Sequence, residues 1–393
     1  MRDRVIVIGA GAIGAATAYE LARSGREVVL LERDAGLHDG STSVPPVSRP
    51  SSASWAAAGI LPPANLATAT DPLDQLRGLS HQRFPGLARE LHELTGLDCG
   101  LRRCGGWYLA DTPGEKASLV GMVAYWRDLQ IDCEETSLDE LCRSEPALET
   151  WCRRGGGRAW WVPDEYQILN PTYVGALRSA CRALGAEVRC HSRVTDLVEN
   201  GDGVSVSIEG SDPLTAGQVV VCGGAWTGLV AQRLRLAGSL VPVRGQILLM
   251  RMPRAVNLSR IVNLGHRYLV PRPDGEVLIG SCEEEVGFQH GTTPNGLDDL
   301  RQFVRHVCPR IADGVEVAAW SGLRPMTFDG FPMCGKLPDS DRIFVAAGHF
   351  RSGVHLSAGT ARLLADVMNK SEPAIDIDAF RVGKQQNQSV SEG

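Results

Sequence analysis

The stretch that most constrains the fold is residues 4–32. Residues 5–8 are a run of valine and isoleucine that leads directly into Gly9-Ala10-Gly11-Ala12-Ile13-Gly14, and an alanine-rich helical pattern follows. A second apolar run, residues 28–31, ends on Glu32. The order of strand, glycine turn, helix, strand and acidic residue distinguishes a dinucleotide-binding βαβ unit from a chance glycine repeat. The sequence therefore predicts a Rossmann-like nucleotide-binding domain.

Each glycine of this turn has a physical role. Gly9 permits the tight turn after the first strand, Gly11 lets the backbone approach a pyrophosphate, and Gly14 lets the helix pack closely on the sheet. The helix N-terminus offers free N–H groups and the positive end of its dipole to phosphates. Glu32, 23 residues beyond Gly9, is expected to accept hydrogen bonds from an adenosine ribose. Arg33 either meets a phosphate or is a solvated surface charge, and the acid before it argues against a 2′-phosphate.

Composition excludes several classes of protein. The chain has 393 residues, 43% of them hydrophobic, and a net charge of −6, so it has no basic surface typical of nucleic-acid binding. No apolar run is long enough to span a bilayer, and the chain begins with a strand pattern instead of a signal peptide. Its 11 cysteines include no CxxC pair, which favours reduced thiols in a cytoplasmic protein without disulfides or a metal site.

The length fits two domains. A fold of class α/β is expected, in which a Rossmann-like domain is completed by later segments and a second domain is mainly antiparallel α+β. The predicted nucleotide-binding domain comprises residues 1–80, 165–235 and 326–375, and the predicted second domain comprises residues 81–164 and 236–325. A polar tail is predicted over residues 376–393.

Local patterns predict the elements within these domains. Helices are expected over residues 72–95, with an interruption at Pro85, and over residues 115–130, 173–184, 297–307 and 357–368. Strands are expected over residues 106–110, 187–190, 194–198, 204–208, 218–222, 246–250, 267–271, 277–281, 315–320 and 342–348. Residues 35–54 are rich in serine, proline and glycine, which predicts a mobile loop.

Several motifs resemble the FAD-dependent D-amino acid oxidase family. Besides the opening turn, they are Ser54-Trp55-Ala56-Ala57-Ala58-Gly59-Ile60, Trp320-Ser321-Gly322-Leu323-Arg324-Pro325, Phe328-Asp329-Gly330-Phe331-Pro332 and Ala347-Gly348-His349-Phe350-Arg351-Ser352-Gly353. They occur in the family's order between residues 4 and 370. Within the family the segments at residues 54–60 and 347–353 are most similar to the glycine oxidase branch, which serves thiamine biosynthesis.

The resemblance implies where FAD binds. It assigns the adenosine and pyrophosphate half to Ala12, Ile13, Glu32 and Arg33, with adenine at the backbone of Val194. It assigns the flavin side to Ala53, Ser54, Ala58, Gly59 and Ile60. The polar edge of the ring falls to the predicted loop of His349, Phe350, Arg351, Ser352, Gly353, Val354 and His355. The glycine turns themselves add Gly9, Gly11 and Gly14, and Gly224 from a second turn after the strand at residues 218–222. Some relatives attach the flavin to a cysteine. Because Cys334 is not at that attachment position, the FAD is expected to be non-covalent.

The resemblance also implies that Arg324, Arg351 and Tyr268 bind and orient the substrate. A guanidinium holds a carboxylate in bidentate geometry, and a tyrosine hydroxyl donates a further hydrogen bond. Each residue has a structural alternative: either arginine could belong to an ion pair, and Tyr268 could be a core residue of an alternating strand.

The implied reaction is oxidation of glycine, sarcosine or small D-amino acids to the oxo acid, ammonia or amine, and hydrogen peroxide, by hydride transfer to flavin N5. Molecular oxygen is the implied electron acceptor, and relatives suggest a homo-oligomer. One alternative is a D-amino acid or proline dehydrogenase that passes electrons to a quinone or another acceptor. A second alternative is a flavin-binding protein without turnover, against which the presence of both arginines argues.

Overall fold

A computed structural model describes residues 3–34, 52–230 and 234–383. The strands of these residues are β1 (Arg4–Ile8), β2 (Glu27–Leu31), β3 (Ile60–Leu61), β4 (Arg102–Arg103), β5 (Gly106–Ala110), β6 (Glu134–Thr136), β7 (Arg158–Val162), β8 (Tyr166–Gln167), β9 (Glu187–Arg189), β10 (Val194–Asn200), β11 (Gly203–Ile208), β12 (Ser211–Ala216), β13 (Gln218–Val221), β14 (Val241–Arg251), β15 (Ile261–Leu264), β16 (Arg267–Pro271), β17 (Glu276–Gly280), β18 (Val315–Met326), β19 (Met333–Lys336) and β20 (Ile343–Ala347).

The helices in the same ranges are α1 (Ala12–Arg23), α2 (Ala53–Ala56), α3 (Pro72–Thr95), α4 (Pro113–Asp128), α5 (Leu138–Ser144), α6 (Glu149–Arg153), α7 (Asn170–Ala183), α8 (Thr227–Val230), α9 (Pro294–Val307), α10 (Pro309–Ala312) and α11 (Gly353–Met368). Short 3₁₀ turns include Gly224–Trp226, Phe350–Ser352 and Asp378–Phe380.

The opening strand lies in the middle of a six-stranded sheet, whose order is β19-β20-β13-β1-β2-β9. β1 pairs in parallel with β2 on one side and β13 on the other, whereas β19 at the edge is antiparallel to β20. The strand order changes direction at β1. In such sheets the carboxyl ends of the strands at this point open a crevice where ligands bind.

Helix α1 is buried on almost every side. Ala12, Ala15, Ala16 and Ala18 are each at most 2% exposed, and the helix packs against α7 and α11. Small side chains allow neighbouring helices and the sheet to approach it closely. The N-terminus of α1 is thereby fixed at the crevice.

The second large sheet has eight strands in the order β18-β14-β17-β16-β15-β5-β7-β6. Its strands are antiparallel except for the parallel pair β5–β15. Along β14, Ile247 and Leu249 pack in the same core as α1, α3 and α11, whereas Leu248 and Met250 pack with α9. This alternation gives a sheet buried on both faces. The predicted fold class, a Rossmann-like α/β domain with a mainly antiparallel α+β domain, is confirmed.

The structure corrects the predicted interruption of α3. The helix runs unbroken through Pro85 over 24 residues. A proline removes one N–H donor from the helix interior, and a long helix with a buried face tolerates that loss. Helix α4 begins at Pro113, earlier than predicted, because Thr112 and Glu115 form a capping box.

Two expected irregular segments also differ from the structure. Residues 35–51 of the predicted mobile loop lie outside the described residues, but Ala53 and Ser54 begin α2. The predicted polar tail is wrong at its start, because Phe380 is fully buried and its ring lies 6.1 Å from that of Phe331. Residues 384–393 lie outside the described ranges.

Candidate active site

A cavity of about 730 Å³ lies between the crevice of the six-stranded sheet and one face of the eight-stranded sheet. This volume is in the range of cofactor and substrate sites. The wall contains every predicted site residue except Gly14, namely Gly9, Gly11, Ala12, Ile13, Glu32, Arg33, Ala53, Ser54, Ala58, Gly59, Ile60, Val194, Gly224, Tyr268, Arg324, His349, Phe350, Arg351, Ser352, Gly353, Val354 and His355.

The glycine turn has no room for side chains. Gly9 has a φ of +97°, and a Cβ there would overlap the carbonyl oxygen of Cys222, the residue after β13. Gly14 is the third residue of α1, where a Cβ would overlap the carbonyl oxygen of Gly9. Gly14 therefore acts from behind the cavity wall, by letting the helix and the turn come together.

The N-terminus of α1 opens on the cavity. Its N-cap, Gly11, offers no side-chain hydrogen bond, and the N–H of Ala12 donates to Ser54 Oγ at 2.9 Å. A helix start of this kind attracts an anion through its free N–H groups and its dipole. This end of the cavity is suited to phosphate groups.

Glu32 is held rigidly at the end of β2. Its carboxylate accepts hydrogen bonds from the N–H of Ala10 at 2.8 Å and from the N–H of Asp34 at 3.1 Å. Arg178, only 2% exposed, donates to the carbonyl of Ala10 at 3.0 Å and lies 3.7 Å from the Glu32 carboxylate. Arg178 was not predicted from the sequence, since its position in a helical stretch carries no motif. The two residues together fix an acceptor at the rim of the cavity.

Arg33 packs on an aromatic ring at the same end. Its guanidinium carbon lies 3.9 Å from the ring centroid of Trp226, which stacks on His290 with ring centroids 5.5 Å apart. Arg33 also forms an ion pair with Asp34 at 3.4 Å. A cation over an indole ring is held by the ring's electron-rich face, so Arg33 belongs to a structured cluster.

The segment predicted as a loop at residues 349–355 is a 3₁₀ turn that leads into the first residues of α11. Its two histidines are neutral. Burial lowers the pKa of His349 to about 3, and its ring is 3.1 Å from Thr360 Oγ1. Burial also lowers the pKa of His355 well below its ordinary value. The Nε2 atom of His355 is buried with no hydrogen-bond partner among the described residues. His355 lines the cavity, and a buried polar atom without a partner at such a site favours a ligand that completes the local hydrogen bonding.

A half-buried arginine braces the small residues opposite these histidines. Arg272 donates to the carbonyl of Ala58 at 2.8 Å and to the carbonyl of Ile168 at 3.4 Å, and burial lowers its pKa to about 10. Gly59 has a φ of +73°, and a Cβ there would overlap the carbonyl oxygen of Ile168. The backbone at Ala58 and Gly59 is thus a fixed wall with no side chain larger than a methyl group, suited to a flat ring.

Arg324 and Tyr268 lie at the other end of the cavity, on the eight-stranded sheet. Arg324 donates to Ser281 Oγ at 2.7 Å and to the carbonyl of Cys282 at 3.0 Å. Its guanidinium lies against Gly245, and the ring of Tyr268 lies against Gly280, where a Cβ would be 2.5 Å from the ring. The two glycines were not predicted as site residues; their only signal is an interruption of strand patterns.

Arg351 is engaged at the surface of the same cavity. It forms an ion pair with Glu283 at 2.7 Å and donates to the carbonyl of His266 at 3.2 Å, and its side chain is 38% exposed. Arg351 has to break its ion pair with Glu283 before its guanidinium can form a full ion pair with a substrate carboxylate. Arg324 has no carboxylate partner within ion-pair distance among the described residues.

Beneath this end, two cavity-lining side chains bind a buried carboxyl in a network that the sequence did not predict. Glu165 is fully buried and accepts hydrogen bonds from the Tyr108 hydroxyl and from Asn263 Nδ2, the latter at 3.1 Å. Tyr108 and Asn263 line the cavity. Burial raises the pKa of Glu165 to about 7, although both hydrogen bonds oppose the shift.

Glu165→Gln is expected to gain stability relative to the wild type as the pH rises. Folding raises the pKa of this carboxyl from 4.5 to about 7. Below pH 4.5 the group is protonated in both the folded and the unfolded protein, so it does not oppose folding. Between pH 4.5 and about 7 the unfolded protein ionises first, and the free energy of unfolding falls. The wild type therefore loses about 3 kcal/mol of unfolding free energy across this window that the neutral variant keeps. Urea titrations of both proteins at about pH 5 and pH 8 measure it, and parallel pH dependences would contradict it.

No helix of the described ranges is both long and apolar enough to cross a membrane. No group of three or more histidine, cysteine, aspartate or glutamate side chains there is placed to hold a metal ion.

Comparisons with known proteins extend over nearly the whole chain. The sequence model of the family described as FAD dependent oxidoreductase matches residues 4–367. The chain is 31% identical to the glycine oxidase of Geobacillus kaustophilus over 379 residues, which cover 96% of each. It is 32% identical to the glycine oxidase of Pseudomonas aeruginosa over 377 residues, which cover 96% of this chain and 97% of the relative.

Solved structures give the same likeness. The crystal structure of the Geobacillus kaustophilus glycine oxidase matches with a TM-score of 0.87 at 30% identity and covers 98% of this chain and 99% of that one. An iminodiacetate oxidase from Chelativorans sp. BNC1 has a TM-score of 0.81 at 24% identity, with 96% of this chain and 98% of that chain covered. The similarity to the iminodiacetate oxidase is a similarity of fold.

Proposed function

Because the chain belongs to the FAD-dependent oxidoreductase family, we propose that it oxidises glycine and other small amino acids or amines, such as sarcosine and small D-amino acids. Each turnover consumes the amine, water and molecular oxygen and yields the oxo acid, ammonia or amine, and hydrogen peroxide. The observation that carries the proposal is the position of Arg324 and Tyr268 in the same cavity as the glycine turn. The glycine oxidases that the chain resembles support the substrate class.

The described residues fit FAD. The turn at residues 9–14 would hold the pyrophosphate, Glu32 and Val194 the adenosine, and residues 53–60 with 349–355 the flavin ring. The unpartnered Nε2 of His355 and the side-chain-free wall at Gly59 are the observations that favour a flat polar-edged ring here. When bound, FAD supplies the electron acceptor for a hydride from the substrate Cα.

The chain's own residues supply binding and orientation. Arg324 donates two parallel N–H groups to the substrate carboxylate, and Tyr268 donates its hydroxyl to the same group. A carboxylate held at two points has few orientations left, so the Cα hydrogen is presented repeatedly in one direction. Once the substrate amine is neutral, no protein general base is needed.

We expect the FAD to be bound without a covalent link. Of the cysteines, Cys222 lines the cavity, but it lies beside Gly9 and Gly14 at the phosphate end. Cys334 is fully buried outside the cavity wall. Acid precipitation of the yellow protein should therefore give a white pellet and release the flavin into the supernatant. A pellet that stays yellow after washing in denaturant would contradict this expectation.

The function is tested by product analysis with purified protein and FAD. With glycine in air, glyoxylate, ammonia and hydrogen peroxide should form in equal amounts. Oxidation of the amine with an artificial electron acceptor, but without peroxide in air, would instead indicate the dehydrogenase alternative. No product from glycine, sarcosine or small D-amino acids under either condition would overturn the proposal.

A further inference from the structure

The cavity wall holds a polar row that the carboxylate-binding residues do not explain. In the eight-stranded sheet Tyr108 of β5 is opposite Asn263 of β15, and Asn263 is opposite Tyr268 of β16. Side chains of directly opposed residues lie on the same face of a sheet, with Cβ atoms about 4.5–5.5 Å apart in an antiparallel pair. All three line the cavity. Asn263 is therefore the immediate neighbour of the proposed substrate-binding tyrosine.

Buried Glu165 holds this row in place from beneath. One of its carboxylate oxygens accepts from the Tyr108 hydroxyl and the other accepts from Asn263 Nδ2 at 3.1 Å. Gly106 makes room for it, since a Cβ there would overlap Oε1. Among the described residues no lysine, arginine or histidine lies within ion-pair distance of Glu165. Glu165 therefore orients two neutral hydrogen-bond donors and does not neutralise a positive charge.

The orientation of the Asn263 amide follows from this contact. In the structure the amide turns its NH₂ group toward Glu165, since Nδ2 donates to Oε1 at 3.1 Å. Above a pH of about 7 the carboxylate is ionised and only accepts hydrogen bonds, which holds the amide in this orientation. The side-chain carbonyl then points away from Glu165, and it has no hydrogen-bond partner among the described residues. Because Asn263 lines the cavity, this carbonyl is an acceptor that a ligand can reach.

The substrate end otherwise presents mainly donors. Arg324 and Arg351 can only donate, and Tyr268 uses its hydroxyl hydrogen for the carboxylate. An amino acid brings a second polar group, an amine whose N–H needs an acceptor. Building on the proposed function, we propose that Asn263 binds the substrate amine through its side-chain carbonyl and that Glu165 is the positioning residue that fixes this amide. The site is then specific for primary and secondary amines, because a neutral tertiary amine has no N–H to donate.

The test separates amine binding from carboxylate binding. Asn263→Leu keeps the approximate volume and removes the acceptor. Acetate carries the carboxylate without the amine, and its binding is measured by the change it causes in the flavin absorbance spectrum. We expect the KM for glycine to rise about tenfold or more in this variant, whereas the acetate dissociation constant stays within about twofold. N,N-dimethylglycine should be a poor substrate of the wild type.

Glu165→Gln tests the positioning role. Its amide can donate, so it no longer forces the Asn263 NH₂ group inward, and the KM for glycine should rise with acetate binding unchanged. Glu145→Gln is the matched control, because Glu145 is also a buried glutamate, 1% exposed, but its partners are Ser259 and Arg260 outside the cavity wall. This control should keep the wild-type KM.

Two results would overturn the proposal: a glycine KM within twofold of wild type in Asn263→Leu, or an equal loss of glycine and acetate binding, which would indicate general damage to the pocket. Asn263→Ala, which only removes atoms, is assayed in the same way if the leucine variant does not retain flavin. Failure of the proposed function has a different signature, since the wild type itself would then bind acetate but oxidise neither glycine nor sarcosine. That result overturns both proposals.

Discussion

Arg324→Ala is expected to lower kcat/KM for glycine by about 10²- to 10³-fold. At the substrate end of the cavity, Arg324 is the one arginine that has no carboxylate partner among the described residues. Its charge is therefore available to the substrate. Removing it leaves a substrate carboxylate desolvated without a counter-charge. Steady-state kinetics at equal flavin occupancy measure the effect.

Two further variants show whether the loss comes from geometry or charge. Arg324→Lys keeps the charge but not the planar fork, and it should fall between the wild type and the alanine variant. Arg301→Ala is the control, because Arg301 pairs with Glu316 and Asp298 outside the cavity wall; it should retain wild-type kinetics within about twofold. An Arg324→Ala enzyme that keeps its kcat/KM within threefold would exclude the proposed carboxylate contact.

Gly14→Ala is expected to abolish FAD retention. The added Cβ would overlap the carbonyl oxygen of Gly9, so α1 and the glycine turn must move apart where the pyrophosphate is proposed to bind. The purified variant should carry about a tenth or less of the wild-type flavin, since this glycine secures the close packing of helix and strand. The ratio of flavin to protein absorbance measures it.

Gly121→Ala is the matched control for this substitution. Gly121 is also a helical glycine, in α4, but nothing lies within 4 Å of a Cβ added there. Alanine is the better helix former by about 1 kcal/mol, so this variant should bind FAD fully and be at least as stable as the wild type. A Gly14→Ala protein with full flavin occupancy would show that the turn tolerates the displacement.

The nucleotide half of the molecule was predictable because its signals are local in sequence. The unit formed by residues 4–32 combines a glycine turn, a helix and an acidic residue at fixed spacing. The structure places Gly9, Gly11 and Glu32 in the cavity wall. The family resemblance was carried by motifs of the same kind and is confirmed by the match over residues 4–367. Such motifs can be recognised in the sequence because their residues are close together along the chain.

The substrate half contains features that no local pattern reveals. Gly245 and Gly280 make room for Arg324 and Tyr268 from neighbouring strands, and Glu165 reaches the cavity wall from a segment about 100 residues away from Asn263 in sequence. A glutamate before a tyrosine in a polar turn resembles a surface residue until the fold buries it. Likewise, the ion pair of Arg351 with Glu283 depends on how two loops meet. These contacts arise only from tertiary packing.

The measurement that tests the central claim most directly is anaerobic mixing of the FAD-loaded protein with glycine, followed by the admission of oxygen. The account predicts that glycine bleaches the flavin absorbance and that oxygen restores it quickly, with one hydrogen peroxide formed for each glyoxylate. A spectrum left unchanged by glycine, sarcosine, D-alanine and D-proline would contradict the assignment of this cavity to the oxidation of small amino acids.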